Sequence, residues 1–226
     1  MKVSIAIPAY EYKGEGWLFL SHLLNGIFTQ THKNYEVVIS DQSKNSDIKN
    51  ICETYSKFMP IKRIDGSQIT SMAANFNSAI KNCEGDLIKT MCCDDFFVDN
   101  TALEKIVNKF TNSSIEWLLN GCVHAQDNIY MFYDKMIPFY NHKIHLGKNT
   151  ISSPTVLTMK NKNYLDESLM LLVDCELYKR LYNEYGQPAI INDPLVCNRM
   201  HANQAQKIHS EKSDLEVEYC RRLYGE

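Results

Sequence analysis

The amino-acid sequence predicts an α/β protein with a mostly parallel central sheet and helices on both faces of it. In the first half of the chain, short apolar runs alternate four times with amphipathic segments of helical spacing. Short connections between such segments favour parallel strands joined by right-handed crossovers. The second half is less regular, and its β-rich runs predict a smaller antiparallel region. A chain of 226 residues, 44% of them hydrophobic, suits a single domain with a sizeable core.

The elements of the first half follow from the spacing of apolar residues. Residues that recur at i, i+3 and i+4 indicate one face of a helix, whereas short continuous apolar runs indicate buried strands. Apolar residues with helical spacing first occur from Trp17 onward. Gly85 ends the last of the three helices predicted in this half. The predicted strands are 3–9, 36–40, 61–64 and a run from 88, and the predicted helices are 17–28, 48–55 and 69–83.

The second half carries weaker signals of the same two kinds. Helices are predicted at 102–110, 173–185 and 214–224, and strands at 117–122, 129–139, 156–159 and 194–199. The run at 129–139 is typical of β structure with one exposed face. No internal repeat, low-complexity segment or linker interrupts the chain, so the sequence favours one domain over residues 1–226.

Polar residues follow three predicted strands at the point where each strand ends. Pro8-Ala9-Tyr10 ends the first strand, Asp41 the second, and Asp94-Asp95 the run that starts at Ile88. Ligands of open parallel sheets bind beyond the carboxyl ends of the strands. The sequence therefore predicts that these residues meet at one edge of the sheet.

The adjacent acids Asp94 and Asp95 suggest a cation site. Two neighbouring carboxylates repel each other, and burying an unpaired carboxylate costs several kcal/mol. A divalent metal with oxygen ligands offsets that charge, and a bound phosphate is a common reason for such a metal. A turn with two solvated acids is the alternative interpretation of the pair taken alone.

Composition excludes some classes of function. A formal net charge of -3 and the absence of a Lys/Arg run argue against nucleic-acid binding. The eight cysteines show no CxxC spacing and lie mostly in apolar runs, which favours buried thiols in a reducing compartment. No apolar run is long enough to span a bilayer, and no signal peptide is evident. We therefore expect a cytoplasmic protein, with peripheral attachment to a membrane left open.

Several separated segments resemble the family 2 glycosyltransferases of the GT-A fold. The opening strand with Pro8-Ala9-Tyr10 is similar to the family's first strand and its Pro-x-Tyr/Phe loop, and Arg199-Met200-His201 falls where the family has an R-x-H. The other similar segments are 36–41 with Ser43 and Asp47, 71–80 running into 85–88, and 165–169 followed by 173–177. Their order and spacing, more than any single motif, carry the resemblance.

The resemblance implies a single GT-A, Rossmann-like domain and a reaction. Residues 1–100 would form the half that binds a nucleotide-diphosphate sugar, and residues 101–226 the half that binds the acceptor. The donor would be a UDP-, GDP- or dTDP-sugar, and the acceptor a hydroxyl of a glycan or glycoconjugate. The reaction would be inverting and would use Mn²⁺ or Mg²⁺, since a metal offsets the growing charge of the leaving group.

The resemblance also implies roles for individual residues. Asp174 would be the general base that deprotonates the acceptor hydroxyl. The metal would be held by Asp94, Asp95 and His201. For His201, a surface or core position without a metal is an equally good interpretation. Donor-binding residues would be Pro8, Ala9, Tyr10, Asp41, Asn77, Asp94 and Arg199. Asp41, Asn77 and Asp174 also have simple structural interpretations, as a turn cap, a helix anchor and a first-turn acid.

Two departures from the family pattern bear on the site. The family usually has Asp-x-Asp-Asp where this chain has Cys92-Cys93-Asp94-Asp95. Counting forward from Gly85 makes Asp94 the main metal ligand, and counting back from Leu103 makes it Asp95. In addition, Val173 replaces the Glu that usually precedes the base, and an apolar setting raises the pKa of a buried Asp174.

Two other functions share parts of this pattern. A nucleotidyltransferase would use a similar sheet and metal, but it normally needs a glycine-rich basic loop that the segment 10–16 does not supply. A non-catalytic nucleotide- or sugar-binding domain is suggested by the missing acid at position 92. A dinucleotide oxidoreductase is disfavoured, because no GxGxxG follows a predicted strand.

Overall fold

A nine-stranded sheet forms the centre of the molecule, which we describe from a computed structural model for residues 1–126, 131–204 and 213–225. The strands are β1 (Val3–Ala9), β2 (Tyr35–Asp41), β3 (Ile61–Asp65), β4 (Leu87–Thr90), β5 (Phe96–Phe97), β6 (Trp117–Ala125), β7 (Phe132–Met136), β8 (Leu157–Met159) and β9 (Ala189–Arg199). The α-helices are α1 (Gly16–Phe28), α2 (Asp47–Tyr55), α3 (Met72–Lys81), α4 (Ala102–Thr111), α5 (Val173–Tyr185) and α6 (Ser213–Tyr224).

The first half of the chain forms the parallel part of the sheet. Strand β1 lies between β2 and β4, β3 pairs with β2, and all three pairings are parallel. Every residue of β1 is buried, as expected for a central strand that helices cover on both faces. The alternating strands and helices of the first half therefore form the parallel sheet that the sequence predicted.

The second half extends the same sheet. The order is β3-β2-β1-β4-β8-β6-β9-β5, with β7 pairing to β6 off this path. Strand β8 is antiparallel to both neighbours, β4 and β6, while β9 runs parallel to β6. Strands β1 to β4, β6 and β9 thus share one direction, whereas β5, β7 and β8 run the opposite way. The fold class, a mostly parallel sheet with a smaller antiparallel region, is confirmed.

The strand predictions at 194–199 and 129–139 differ most in extent from the structure. The strand predicted at 194–199 is the end of the longer β9, which starts at Ala189 and pairs with β6 across bulges near Gly121. Of the β region predicted at 129–139, residues 129–130 lie outside the described residues, and 132–136 form β7. Within the described ranges, no helix combines the length and the apolar character needed to cross a membrane.

The direction of the strands brings distant parts of the chain to one edge. The carboxyl ends of β1, β2 and β4 lie side by side, because these strands pair in parallel with Ala9 opposite Asp41. Strand β9 shares their direction, so Arg199 and the residues after it emerge at the same edge. The segment 91–95, which follows β4, lies at this edge as well.

The C-terminal helix α6 fixes the start of helix α5. The buried Glu216 accepts hydrogen bonds from the backbone N–H groups of Met170, Leu171 and Leu172 at 2.8, 2.9 and 2.9 Å. These donors precede α5, where a negative charge is favoured by the unpaired N–H groups and the helix dipole. Glu216 therefore locks the turn that positions the first residues of α5, including Asp174.

Replacing Glu216 by Ala is expected to lower the free energy of unfolding by about 2–4 kcal/mol, because three backbone donors lose a charged acceptor. Urea denaturation measures the change. Glu218→Ala is the matched control, since Glu218 is exposed on the same helix and lies 4.0 Å from Arg222 in an i, i+4 ion pair. The control should stay within about 0.5 kcal/mol of the wild type. Equal effects of the two substitutions would contradict the locking role of Glu216.

Candidate functional site

Asp95 is a buried acid at the carboxyl edge whose two oxygens both accept hydrogen bonds. It is 4% exposed. Its Oδ1 accepts from the backbone N–H of Arg199 at 2.9 Å, and its Oδ2 accepts from the hydroxyls of Thr155 and Ser153. The β4–β5 connection, the 153–155 turn and the end of β9 are therefore tied together through one carboxylate.

Asp94 lies beside Asp95 but is bonded differently. Its Oδ2 is 2.8 Å from Nε2 of His201, which is buried as well. Its Oδ1 is buried and has no hydrogen-bond partner among the residues that the structure describes. A buried carboxylate oxygen without a partner is costly, and a bound cation or an ordered water is the usual compensation.

Burial has a clear electrostatic effect on this pair. Desolvation, with a further contribution from the neighbouring charge of Asp94, raises the pKa of Asp95 to about 8. A neighbouring carboxylate disfavours the ionised form of Asp95, whereas a divalent cation held here would favour it. The two side chains therefore fit a divalent metal better than they fit an empty polar pocket.

Cys92 completes a set of three metal-ligating side chains. The ligand atoms of Cys92, Asp94 and Asp95 all lie within 4.8 Å of one another. The backbone N–H of Cys92 donates to Oγ1 of Thr155 at 3.0 Å, the same hydroxyl that bonds Asp95. Burial first, and then the charges of Asp95 and Asp94, raise the pKa of the Cys92 thiol well above its usual range.

Arg199 is a buried residue that contacts the backbone of Asp94. It is 5% exposed; its Nε donates to the backbone carbonyl of Asp94 at 2.8 Å, and its Nη2 lies 3.0 Å from Nδ1 of His22. The guanidinium stacks between the rings of Phe19 and Phe96, with centroids at 4.8 and 5.2 Å. These contacts hold the Asp94 backbone. The predicted contact of Arg199 with the donor stays a prediction.

The loop after β1 packs against the same acids through aromatic rings. Pro8 and Ala9 are buried in β1, and Tyr10 is 43% exposed at the edge. The ring of Tyr12 lies 5.7 Å from that of Tyr10 and 5.5 Å from that of His201. The predicted donor segment therefore reaches the acid pair through Tyr12, a residue that was not predicted.

Asp41 lies at the end of β2, as predicted, but its side chain is fully buried. The Oδ2 atom of Asp41 accepts from Nε and Nη2 of Arg63 at 2.8 and 2.7 Å, and Oδ1 accepts from the N–H of Ser43 at 3.0 Å. A carboxylate with no exposed surface reaches a nucleobase only after rearrangement. The more exposed partner in this ion pair is Arg63, whose side chain is 24% exposed.

Asn77 faces another part of the molecule. Its Nδ2 donates to the carbonyl of Leu165 and to Glu167, each at 2.9 Å, and its Oδ1 accepts from the N–H of Leu165 at 2.7 Å. All three bonds tie helix α3 to the segment before α5. The predicted donor contact of Asn77 has no support among these bonds, and the anchoring interpretation accounts for them.

Asp174 occupies the first turn of α5 and is almost fully buried. Its Oδ2 accepts from Nδ2 of Asn149 at 3.0 Å, and its Oδ1 accepts from the N–H of Cys175 at 2.8 Å. Burial raises the pKa of Asp174 to about 6, and the two hydrogen bonds oppose part of that rise. A carboxylate with this pKa is mostly ionised at neutral pH and is a stronger base than an ordinary aspartate.

The segment 149–155 links Asp174 to the acid pair. Asn149 bonds Asp174, while Ser153 and Thr155 bond Asp95. The hydroxyl of Tyr178 in α5 donates a hydrogen bond to the carbonyl of Ser153 at 2.9 Å, which ties the segment to helix α5. Ser152 has a φ of 94°, a left-handed conformation that a non-glycine residue adopts at a cost. Strained backbone of this kind is common at functional sites.

A buried lysine supports this segment. Nζ of Lys89, inside β4, donates to the backbone carbonyl of Thr155 and to Oδ1 of Asn120, the latter at 3.2 Å. Desolvation lowers the pKa of Lys89 to about 7, and the nearby charge of Asp95 opposes the shift. The sequence signal for this contact is a lysine within an apolar strand, and no role for it was predicted from the sequence.

With this geometry established, comparison with solved structures identifies the architecture. The chain superposes on the first 349 residues of TarS from S. aureus, solved with UDP, with a TM-score of 0.69, 18% identity, and coverage of 97% of this chain and 64% of that one. A mannosyltransferase from Pyrobaculum calidifontis, solved with GDP-Man and Mn²⁺, gives a TM-score of 0.62, 15% identity, and coverage of 88% and 56%. The fold is therefore that of the GT-A glycosyltransferases.

The family follows from the sequence comparison. The sequence model of "Glycosyl transferase family 2" matches residues 4–161, and the chain belongs to that family. An uncharacterised glycosyltransferase of Nostoc is 25% identical over 134 residues, which cover 57% of this chain and 38% of that protein. The glycosyltransferase GlyA of Streptococcus pneumoniae is 22% identical over 132 residues, covering 58% and 18%. The matches thus span less than half of these relatives.

Proposed function

We propose that this domain is a metal-dependent, inverting glycosyltransferase that moves a sugar from a nucleotide-diphosphate sugar to a hydroxyl of a glycan or glycoconjugate. The observation that carries the proposal is the partnerless, buried Oδ1 of Asp94 beside Asp95, at the edge where ligands of such sheets bind. Membership of the family supplies the reaction class.

Mn²⁺ or Mg²⁺ is the proposed cation, with Asp94 as its main ligand and Asp95 next to it. Both oxygens of Asp95 already accept protein hydrogen bonds, whereas Asp94 offers a free one. His201 fits a role in orienting Asp94, because its Nε2 is 2.8 Å from Asp94 Oδ2; direct ligation by His201 would need that contact to break. When bound, the cation supplies charge compensation for the diphosphate leaving group.

Asp174 is the proposed general base. The acceptor oxygen forms a bond to the anomeric carbon as the bond from that carbon to the phosphate oxygen breaks, and the hydroxyl proton passes to Asp174. The raised pKa of this carboxylate suits the task. Asn149 holds its Oδ2 in place through a bond of 3.0 Å. The nucleoside diphosphate leaves with the electron pair of the broken bond.

The donor is proposed to lie along the carboxyl ends of β1, β2 and β4. Tyr10 is exposed there, and Asp41 ends β2, where it forms an ion pair with Arg63 of β3. The solved neighbours were crystallised with UDP, UDP-GlcNAc or GDP-Man, which supports a uridine or guanosine diphosphate sugar; a dTDP-sugar stays an alternative. Residues 1–100 would form this donor half, and residues 101–226 the acceptor half.

The proposed compartment is the cytoplasm. All eight cysteines are free thiols, and seven of them are buried. Free thiols in this number suit a reducing environment. Peripheral attachment to a membrane that carries a glycoconjugate acceptor is compatible with this proposal.

A panel of nucleotide sugars tests the function directly. Thermal stability is measured with UDP-, GDP- and dTDP-sugars, each with Mn²⁺, with Mg²⁺ and with a chelator. A true donor at about 100 times its Kd should stabilise the protein by about 2.7 kcal/mol, and the chelator should remove that effect. Release of nucleoside diphosphate from the stabilising sugar is then followed with acceptor mixtures.

The outcomes separate the competing functions. Release of nucleoside diphosphate supports sugar transfer, whereas formation of pyrophosphate from a nucleoside triphosphate and a sugar phosphate would indicate a nucleotidyltransferase. Binding without any turnover across the acceptor mixtures would favour a non-catalytic domain. Stabilisation and release that are indifferent to the chelator would refute the metal dependence.

A further inference from the structure

Cys92 is the distinctive residue of the proposed metal centre. Of the eight cysteines, seven are buried, and Cys92 alone is partly exposed. It follows β4 at the sheet edge, close to Asp94 and Asp95, where the resemblance leads one to expect a third acid. The question is what a sulfur atom does in this position.

The geometry makes the sulfur available to a bound cation. The ligand atoms of Cys92, Asp94 and Asp95 lie within 4.8 Å of one another, a separation that one ion can bridge. Oδ1 of Asp94 is buried and without a partner among the described residues, and this oxygen is an independent observation in favour of a bound cation here. The backbone of Cys92 is fixed by its bond to Thr155.

Sulfur changes which cations such a centre prefers. Mg²⁺ takes oxygen ligands, whereas thiolates favour softer ions such as Zn²⁺. We propose that Cys92 is a metal ligand and that this centre binds thiophilic divalent cations, of the Zn²⁺ and Cd²⁺ class, more tightly relative to Mg²⁺ than an all-carboxylate centre would. The inference rests on the proposed function, because it concerns the same cation site. On binding, the thiol proton passes to solvent and the sulfur binds as thiolate.

Cobalt spectroscopy tests the ligand directly. The protein is titrated with Co²⁺ in the presence of UDP and, in parallel, of GDP, and the ultraviolet charge-transfer band of a cobalt–thiolate bond is recorded. We expect this band to saturate at one Co²⁺ per chain. Cys92→Ser should abolish the band. Cys93→Ser, the same substitution at a buried neighbour outside the three-residue set, should keep it.

Metal affinities provide the second measurement. In Cys92→Asp, which restores the acid, the ratio of Cd²⁺ to Mg²⁺ affinity from calorimetry should fall by about tenfold or more. This variant presents a charged ligand of similar size, so it tests the preference without emptying the site. Circular dichroism and thermal unfolding establish that each variant is folded before it is titrated.

The results distinguish this inference from the proposed function. Co²⁺ binding without a sulfur band, or an unchanged affinity ratio in Cys92→Asp, would overturn the role of Cys92 and leave metal-dependent transfer standing. No binding of any divalent cation, with either nucleotide, would overturn both. A band that persists in Cys92→Ser would assign the sulfur ligand to another cysteine and also overturn the inference.

Discussion

Replacing Asp174 by Asn is expected to reduce kcat for sugar transfer by about 10²–10⁴-fold, the range over which general base catalysis contributes. The amide has nearly the shape of the carboxylate but cannot take the acceptor proton at neutral pH. Nucleotide binding should be nearly unchanged, since the hydrogen bonds of Asp174 go to Asn149 and Cys175 and not to Asp94 or Asp95. The measurement is kcat, together with the Kd of the donor nucleotide.

The pH profile of the wild type provides an independent readout of the same residue. Asp174 is active as a base when ionised, and its pKa is raised from 3.8 to about 6. The rate should therefore rise with pH through about 6 and level off above it. Asn149→Ala removes a hydrogen bond to the charged form, which raises the pKa of Asp174 further and should move this limb to higher pH.

Stability measurements exclude a trivial loss of activity. The folded-state pKa of Asp174 lies above the unfolded value, so the folded protein binds more protons between pH 4 and 6, and its stability from this group falls as pH rises through that window. Asp174→Asn has no charge to bury, but its amide nitrogen replaces an oxygen that accepts from Asn149 or Cys175, so we expect its stability at pH 7 to change by no more than about 1–3 kcal/mol and the variant to stay folded. Retained transfer in this variant, or a wild-type rate that is flat across pH 5–7, would contradict the assignment.

Local patterns were sufficient to predict most of the architecture. Apolar spacing predicted α1 and α2 and the buried strands β1 and β2, because these elements bury faces that the sequence marks with a regular period. Parallel pairing then placed their carboxyl ends together. The meeting of Asp94, Asp95 and His201 at one edge followed from strand direction and the family resemblance together.

Long-range side-chain contacts could not be predicted. Strand β8 has only three residues, and nothing in them specifies an antiparallel place between β4 and β6. The donors to Asp95 come from residues far along the chain, in the 153–155 turn and at Arg199. The sequence left Asn77 open between a donor contact and a helix anchor, because its bonds to Leu165 and Glu167 cannot be read from the sequence either. Such contacts depend on the whole fold being in place.

Replacing Asp94 by Asn should strongly weaken metal-dependent function and decide between the two acids. The amide keeps the volume but lacks the charge, so we expect the affinity for Mn²⁺ in the presence of UDP or GDP to fall by about 10–100-fold, with a comparable loss of kcat/KM. Calorimetry measures the first quantity and nucleoside diphosphate release the second. Asp86→Asn, an exposed acid just before β4, is the matched control and should resemble the wild type.

Asp95→Asn should give a different result, because this carboxylate accepts from Arg199, Thr155 and Ser153. In this variant the amide nitrogen that replaces one carboxylate oxygen faces hydrogen-bond donors. A buried polar group left without a hydrogen bond costs about 1–3 kcal/mol. We therefore expect Asp95→Asn chiefly to destabilise the fold, and Asp94→Asn chiefly to lose the metal. The reverse pattern would be metal affinity kept in Asp94→Asn and lost in a folded Asp95→Asn. That result would make Asp95 the main metal ligand and would assign the free oxygen of Asp94 to the sugar nucleotide instead.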